Sequence, residues 1–197
     1  MKQSLGARTL AMPTPVWLVG TYDAQGKPNI MTAAWAGICC SQPPSVAVSL
    51  RKATYSHAAI LARRAFTINI PSEAQVAEAD YAGIVSGRDT DKLRACHWTA
   101  VRSELVDAPC VAEVPLVLEC RLAHVLELGL HTQFAGEIVD VKADPSVLGE
   151  KGNPDITRVR PITFDPAHRR YFGLGALLGT AWEVGKGLGE ITPEGTA

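Results

Sequence analysis

Residues 29–57 read NIMTAAWAGICCSQPPSVAVSLRKATYSH, and the fold turns on how this stretch divides. Two apolar strands frame the Pro43-Pro44 turn. From Ser45 the order Ser-Val-Ala-Val-Ser-Leu-Arg puts Val46, Val48 and Leu50 on one face of a strand and Ser49 and Arg51 on the other. A hydroxyl and a guanidinium thereby stand side by side. Lys52, Thr54 and Ser56 follow, and Thr54 to Ala62 reads as a short helix with Thr54 as N-cap. Helix N-termini and Arg forks both suit a phosphate, so these groups form a candidate anion site. A solvated strand end before an ordinary capped helix accounts for the same residues. Upstream, Thr32, Ala33 and Ala34 are small enough to let a flat ligand approach the backbone, and Trp35 is large enough to lie over it. A tight core around one Trp reads the same way.

Working outward, Pro15 to Tyr22 reads as a strand, and Asp23 to Pro28 supplies the turn residues that join it to the Asn29 strand as a hairpin. Ala65 to Ile70 is a third core strand. A helix is expected from Ser72-Glu73 to about Ile84, burying Val76, Ala79, Tyr81 and Ile84, and a second helix near the polar segment that holds Lys92. Val114 to Leu128 has Leu116, Leu118, Cys120, Leu122, Leu126 and Leu128 at even positions, with Glu119, Arg121 and Glu127 at odd ones. That is a long strand with one polar face. Gly129 to Thr132 turns the chain, and Gln133 to Lys142 returns antiparallel. Asp144 to Arg160 reads as loop, and the tail from Gly185 is expected to fray.

The chain has 197 residues, with 19 Lys and Arg against 20 Asp and Glu and a net charge of −1. One domain spanning residues 1–197 is expected. The balance lacks the basic footprint of nucleic-acid binding. No apolar run reaches the roughly 18 residues of a membrane span, and the N-terminus lacks a signal peptide's apolar core, so a cytoplasmic protein is expected. The five cysteines, Cys39, Cys40, Cys96, Cys110 and Cys120, have no metal-like spacing. They are expected as reduced thiols, with Cys39 and Cys40 on opposite strand faces and no metal site.

Taken together, the strand N-x-M-T-A-A-W, the Ser-Gln-Pro-Pro turn, the strand ending Ser-Leu-Arg-Lys and the helix opening Thr-Tyr-Ser-His resemble the flavin reductase-like, FMN-binding split-barrel family, and within it the flavoredoxins. The resemblance runs from about Pro13 to about Gly179. It implies a mainly β fold with peripheral helices (α+β), an FMN-binding split β-barrel, FMN as cofactor, and a homodimer with flavins at the subunit interface. It implies phosphate contacts from Ser49, Arg51, Lys52, Thr54 and Ser56, and a ring held by Asn29, Thr32, Ala33, Ala34 and Trp35, with Leu50 in the same cofactor-binding set. Some relatives carry Thr at the Ser56 position, which keeps the hydroxyl.

Lys92 and His131 are the implied catalytic pair. Lys92 is placed at the ring edge, where a cation stabilises the negative charge that develops on reduction. His131 is placed beside the flavin as hydrogen-bond partner or proton relay, and both roles stay open. Phe164 becomes a wall that closes the pocket with Trp35, Ser56, Lys92 and His131. No G-x-G-x-x-G fingerprint occurs, so a nicotinamide donor would dock transiently over the flavin. The resemblance leaves an electron carrier between redox partner proteins, with sulfur-compound reduction as its setting, beside an NAD(P)H-dependent flavin or ferric reductase. A barrel that binds another flat ligand, haem or pyridoxal phosphate, is the third reading.

Overall fold

The computed structural model describes residues 1–189. The strands are β1 (Thr14–Pro15), β2 (Trp17–Tyr22), β3 (Pro28–Ala33), β4 (Ala36–Ser41), β5 (Pro44–Arg51), β6 (Ala65–Ile70), β7 (Ala100–Arg102), β8 (Pro109–Val111), β9 (Leu116–Leu128), β10 (His131–Ala143), β11 (Thr163–Asp165) and β12 (Arg170–Phe172). The helices are α1 (Tyr55–Arg63), α2 (Val76–Ile84), α3 (Lys92–Ala95) and α4 (Ile156–Val159). The fold is mainly β with peripheral helices, as the sequence implies. Among the described residues no helix is long and apolar enough to cross a membrane.

Seven strands form the main sheet in the order β3-β2-β6-β9-β10-β5-β4, and every pairing in it is antiparallel. β3 and β4 are consecutive in sequence yet lie at opposite ends of this order. The chain crosses from one end to the other at Ala34-Trp35, and β3 and β4 do not pair, so the barrel is split rather than closed. Inside it, Val19, Ala33, Val46, Val48, Leu50, Phe66, Ile68, Cys120 and Phe134 form one buried core. A second core joins Val16, Leu18, Ile30, Ala79, Ala82, Trp98 and Ile162, and seats α2, α3 and the three-stranded sheet β1-β11-β12 against the barrel.

Several expectations change. Glu119 is fully buried instead of lying on a solvated face. The β7-β8 ribbon covers that face, with Thr67 Oγ1 donating to the Pro109 carbonyl and Val111 N donating to Asn69 Oδ1 at 2.8 Å. The Lys142 ammonium lies 3.4 Å from the Glu119 carboxylate and compensates its charge. Gly20 belongs to the same contact, because an added Cβ would run into the Pro109 carbonyl and Thr67 Oγ1. Toward its end β9 loses its inward face altogether, since β6 borders it only from Leu116 to Arg121, and Leu126 and Leu128 are exposed.

On α2 the buried residues are Ala79 and Ala82, while Val76 and Ile84 are exposed. Small side chains let α2 approach β3 closely enough for Thr32 Oγ1 to donate to the Ala79 carbonyl. Cys39 and Cys40 are both exposed, and a register slip between Ile38 and Cys40 makes Cys39 an extra residue, so simple alternation does not hold there. Cys96, Cys110 and Cys120 are buried free thiols, and burial pushes Cys110 up to about 11 and Cys120 up to about 12. Of the expected tail, Lys186–Gly189 form one 3-10 turn, and residues 190–197 lie outside the described residues.

Candidate functional site

The crossing at Ala34-Trp35 opens onto a cavity of about 620 Å³. β3 and the crossing bring Thr32, Ala33, Ala34 and Trp35 to its wall, and β5 brings Ser49, Leu50 and Arg51. Ser49 N donates to the Trp35 carbonyl at 2.8 Å, which fixes the aromatic against the end of β5. Trp35 stays 40% exposed, so part of its ring is open to a ligand. Arg51 stands directly opposite His131 in the β5-β10 register, and both line the cavity. Phe164 closes the far side from β11, its ring centroid 5.5 Å from that of Tyr171.

A second cavity of about 240 Å³ shares Met31, Thr54, Gly83 and Ile84 with the first and holds the remaining polar groups, Asn29, Ser56 and Lys92. Ser56 is fully buried, and its Oγ accepts from Asn29 Nδ2 at 3.0 Å. Lys92 is 5% exposed, and its Nζ donates to the Ala82 carbonyl at 2.7 Å. Burial pushes its ammonium down to about 8. Arg88 closes this end, donating to the Ala53 carbonyl at 3.0 Å with its guanidinium 5.5 Å from the Tyr55 ring centre.

Two of the expected phosphate residues behave differently from expectation. Lys52 lines neither cavity. Its ammonium is 2.6 Å from Glu127, which also accepts from Thr132 Oγ1 at 3.0 Å, and that hydroxyl lies 2.9 Å from His57 Nε2. Thr54 occupies the N-cap position of α1 but does not cap it; its hydroxyl donates back to the Arg51 carbonyl at 2.9 Å. The first amides of α1 therefore have no side-chain acceptor, next to a residue that lines both cavities.

The structure adds residues that the sequence reading passed over. Asp80 and Tyr171 both line the main cavity, and Tyr171 OH donates to Asp80 Oδ1 at 2.8 Å. Burial, and then this hydrogen bond, push the Tyr171 phenol up to about 12. Arg169 stands on the same wall. Asp80 sits on the polar side of a helix expected only to bury its apolar residues, and Tyr171 in the short strand β12, so neither carries a sequence signal.

The arrangement combines three chemistries in one elongated space. An uncapped helix end, a guanidinium and hydroxyls suit an anion. An open tryptophan face beside small residues suits a flat ring. Buried amide, hydroxyl and ammonium groups suit that ring's polar edge.

Residues 8–172 match the flavin reductase like domain family. The structure superposes on flavoredoxin of Desulfovibrio vulgaris (Miyazaki F) with a TM-score of 0.90 at 58% identity, covering 94% of this chain and 100% of that one. For flavoredoxin from Methanosarcina acetivorans the TM-score is 0.85 at 30% identity, over 95% and 98% of the two chains. In sequence, the NADPH-flavin oxidoreductase of Streptomyces viridifaciens is 27% identical over 154 residues, 77% of this chain and 75% of its own. The flat-ring and anion chemistry of the cavity is thus that of a flavoprotein, and the chain belongs to the flavin reductase like domain family, on its flavoredoxin branch.

Proposed function

We propose that this chain is an FMN-binding flavoprotein of the flavoredoxin type, a single-domain cytoplasmic homodimer that carries electrons between redox partners, sulfur-compound reduction among its settings. The observation that supports the reading is the adjacency of two cavities that share Met31, Thr54, Gly83 and Ile84: Trp35, Ser49 and Arg51 line the first, Asn29, Ser56 and Lys92 the second, and the uncapped start of α1 adjoins both. One such anion site, without a dinucleotide fingerprint, favours a mononucleotide.

In this reading Arg51, Ser49 and Thr54 hold the phosphate, with Lys52 serving the Glu127 network instead. Thr32 to Trp35 pack against the ring, and Phe164 walls the far side. Ser56, expected among the phosphate contacts, is tied instead to Asn29 beside Lys92, and in this reading the two present fixed polar groups to the ring edge. Bound FMN supplies reversible uptake and release of electrons. Lys92 stabilises the negative charge that arrives on reduction, and His131 donates a hydrogen bond or relays a proton at the cavity wall. The name of the Streptomyces viridifaciens relative supports a second reading, an NAD(P)H-dependent flavin or ferric reductase with the nicotinamide docking on the open Trp35 side. Cofactor released from the purified protein by denaturation is expected to have the mass of FMN; FAD, haem or pyridoxal phosphate in its place would overturn the assignment.

Lys92→Ala is expected to lower the midpoint potential of the bound flavin, on the order of 30 mV for each 1.4 kcal/mol of lost stabilisation in a two-electron couple. At pH 7 the ammonium, with its value near 8, is charged; as pH rises past 8 it gives up its proton, and wild type and variant converge. Spectroelectrochemistry from pH 6 to about 9.5 reads both effects. A potential that does not move would leave Lys92 serving only the Ala82 carbonyl. The same depression gives a stability signature. Charged Lys92 opposes folding below pH 8, and the opposition is relieved as pH rises toward 10.5, where the unfolded lysine also loses its proton.

A further inference from the structure

Two consecutive residues hold the first turn of α1 in place. Ser56 Oγ accepts from Thr21 Oγ1 at 3.4 Å and from Asn29 Nδ2 at 3.0 Å, which ties the turn to β2 and β3. His57 ties the same turn to β10. It is buried, its Nε2 lies 2.9 Å from Thr132 Oγ1, and its ring meets the Phe134 ring edge-on with the centroids 5.1 Å apart. Thr132 and Phe134 stand two residues apart on one strand and share a face, so a hydrogen bond and packing together seat the imidazole on β10.

The contact has a fixed direction. Thr132 Oγ1 donates to Glu127 Oε1 at 3.0 Å, and Glu127 stands directly opposite Thr132 in the β9-β10 register. Hydrogen bonds from Lys52 and from Thr132 hold the Glu127 carboxyl below its ordinary range, so it is ionised and only accepts. A hydroxyl has a single proton, and that of Thr132 is spent on Glu127. Thr132 therefore meets His57 with a lone pair, and His57 Nε2 carries the proton between them. Burial holds the imidazole below its ordinary value, which keeps it neutral at pH 7. Glu127 thus selects the His57 tautomer through Thr132. Lys52 closes the far end of this chain, but its ion pair with Glu127 is exposed on both sides and adds little.

The strand that seats His57 also fixes Arg51. Thr132 pairs with Leu50 and His131 with Arg51 in the β5-β10 register, so the His57 bond runs from the first turn of α1 to the strand pair that carries the guanidinium. Both ends of that span belong to the anion site assigned above. We propose that Thr132 and Glu127 are positioning residues for the phosphate end of the flavin site: by holding His57 on β10 as its Nε2–H tautomer, they set the separation between the first turn of α1 and the Arg51 guanidinium. Thr132, Glu127 and His57 line neither cavity, so they reach an anion only through the turn that His57 anchors. The proposal deepens the FMN reading above and rests on it.

Fluorescence titration of the full-length apoprotein with FMN and, separately, with riboflavin isolates the phosphate end, because riboflavin carries the same ring without the phosphate. Thr132→Val keeps the shape of a fully buried side chain and removes its hydroxyl. It is expected to weaken FMN binding about tenfold and to leave riboflavin binding unchanged, and Thr132→Ser, which returns the hydroxyl, is expected to recover most of the FMN affinity. An equal loss for both ligands would make Thr132 a general support of the barrel and overturn the proposal, as would undiminished FMN affinity. Heteronuclear NMR of the imidazole nitrogens is expected to show His57 as the Nε2–H tautomer, with Nδ1–H appearing in Glu127→Ala. A wild-type Nδ1–H tautomer would overturn the role given to Glu127. Wild-type protein that holds riboflavin as tightly as FMN would instead remove the phosphate reading itself, and the proposal with it.

Discussion

Arg51→Ala is expected to hold its flavin far more weakly than the wild type. The guanidinium stands at the end of β5, opposite His131 on β10, in the cavity that also meets the open first turn of α1. Its carbonyl already accepts from Thr54 Oγ1 and Thr54 N, so the backbone beneath the side chain is fixed. A charge-assisted hydrogen bond from Arg51 to a phosphate contributes about 1.5–3 kcal/mol, so the dissociation constant should rise roughly 10- to 150-fold. Arg51→Lys keeps the charge without the two-pronged geometry and should fall between. Fluorescence titration of apoprotein with FMN reads the change. Wild-type affinity in the alanine variant would remove Arg51 from the site. Lys52→Ala is the control, since Lys52 is held by Glu127 outside both cavities and its loss should leave retention nearly unchanged.

Phe66→Ala is expected to cost about 3–5 kcal/mol of stability, a large fraction of what a domain of this size has. Phe66 is fully buried in the centre of the barrel and pairs with Cys120 across β6 and β9. Its ring packs on Gly136 so closely that even a methyl group there would collide with it. The surrounding strands cannot collapse into the vacated space without breaking register, so the cavity persists. Because Val48 and Leu50 of β5 share this core, the phosphate end of the site should loosen as well. Urea unfolding of the apoprotein measures the loss, and a change below about 1 kcal/mol would mean that the core repacks.

Much of the fold was legible because apolar runs bounded by turn residues mark strands even where, as in β2 and β6, almost every side chain is buried. The Ser45 to Arg51 alternation, the hairpin from Trp17 to Ala33 and the Ala65–Ile70 strand all stand where the sequence puts them. Periodicity failed where a third layer intervened. Glu119 reads as polar-out, but the β7-β8 ribbon lies over it, and nothing in β9 itself announces that ribbon. It failed again at Leu126 and Leu128, whose inward pattern has no neighbouring strand to face. Among the described residues, those even positions have nothing packed on them.

The site divides in the same way. On β5 alternation set Ser49 and Arg51 side by side, whereas the rest of the candidate set on β3, the crossing and β5 came from the family resemblance of residues 29–57. Asp80 and Tyr171 had neither signal, because only the packing of α2 and of the β1-β11-β12 sheet brings them to the cavity. Lys52 illustrates a different limit of sequence reading. A lysine beside a phosphate cluster looks like part of it, yet the Glu127 carboxylate on the neighbouring hairpin holds it elsewhere.

Whether the flavin takes electrons from a nucleotide or only from a redox partner is read from the visible spectrum of the purified protein during anaerobic titration, first with NADH, then NADPH, then dithionite or a reduced partner protein. An electron carrier keeps its paired flavin bands through both nucleotides and bleaches only with the last additions. Rapid bleaching by either nucleotide would contradict the carrier assignment and make the chain an NAD(P)H-dependent reductase.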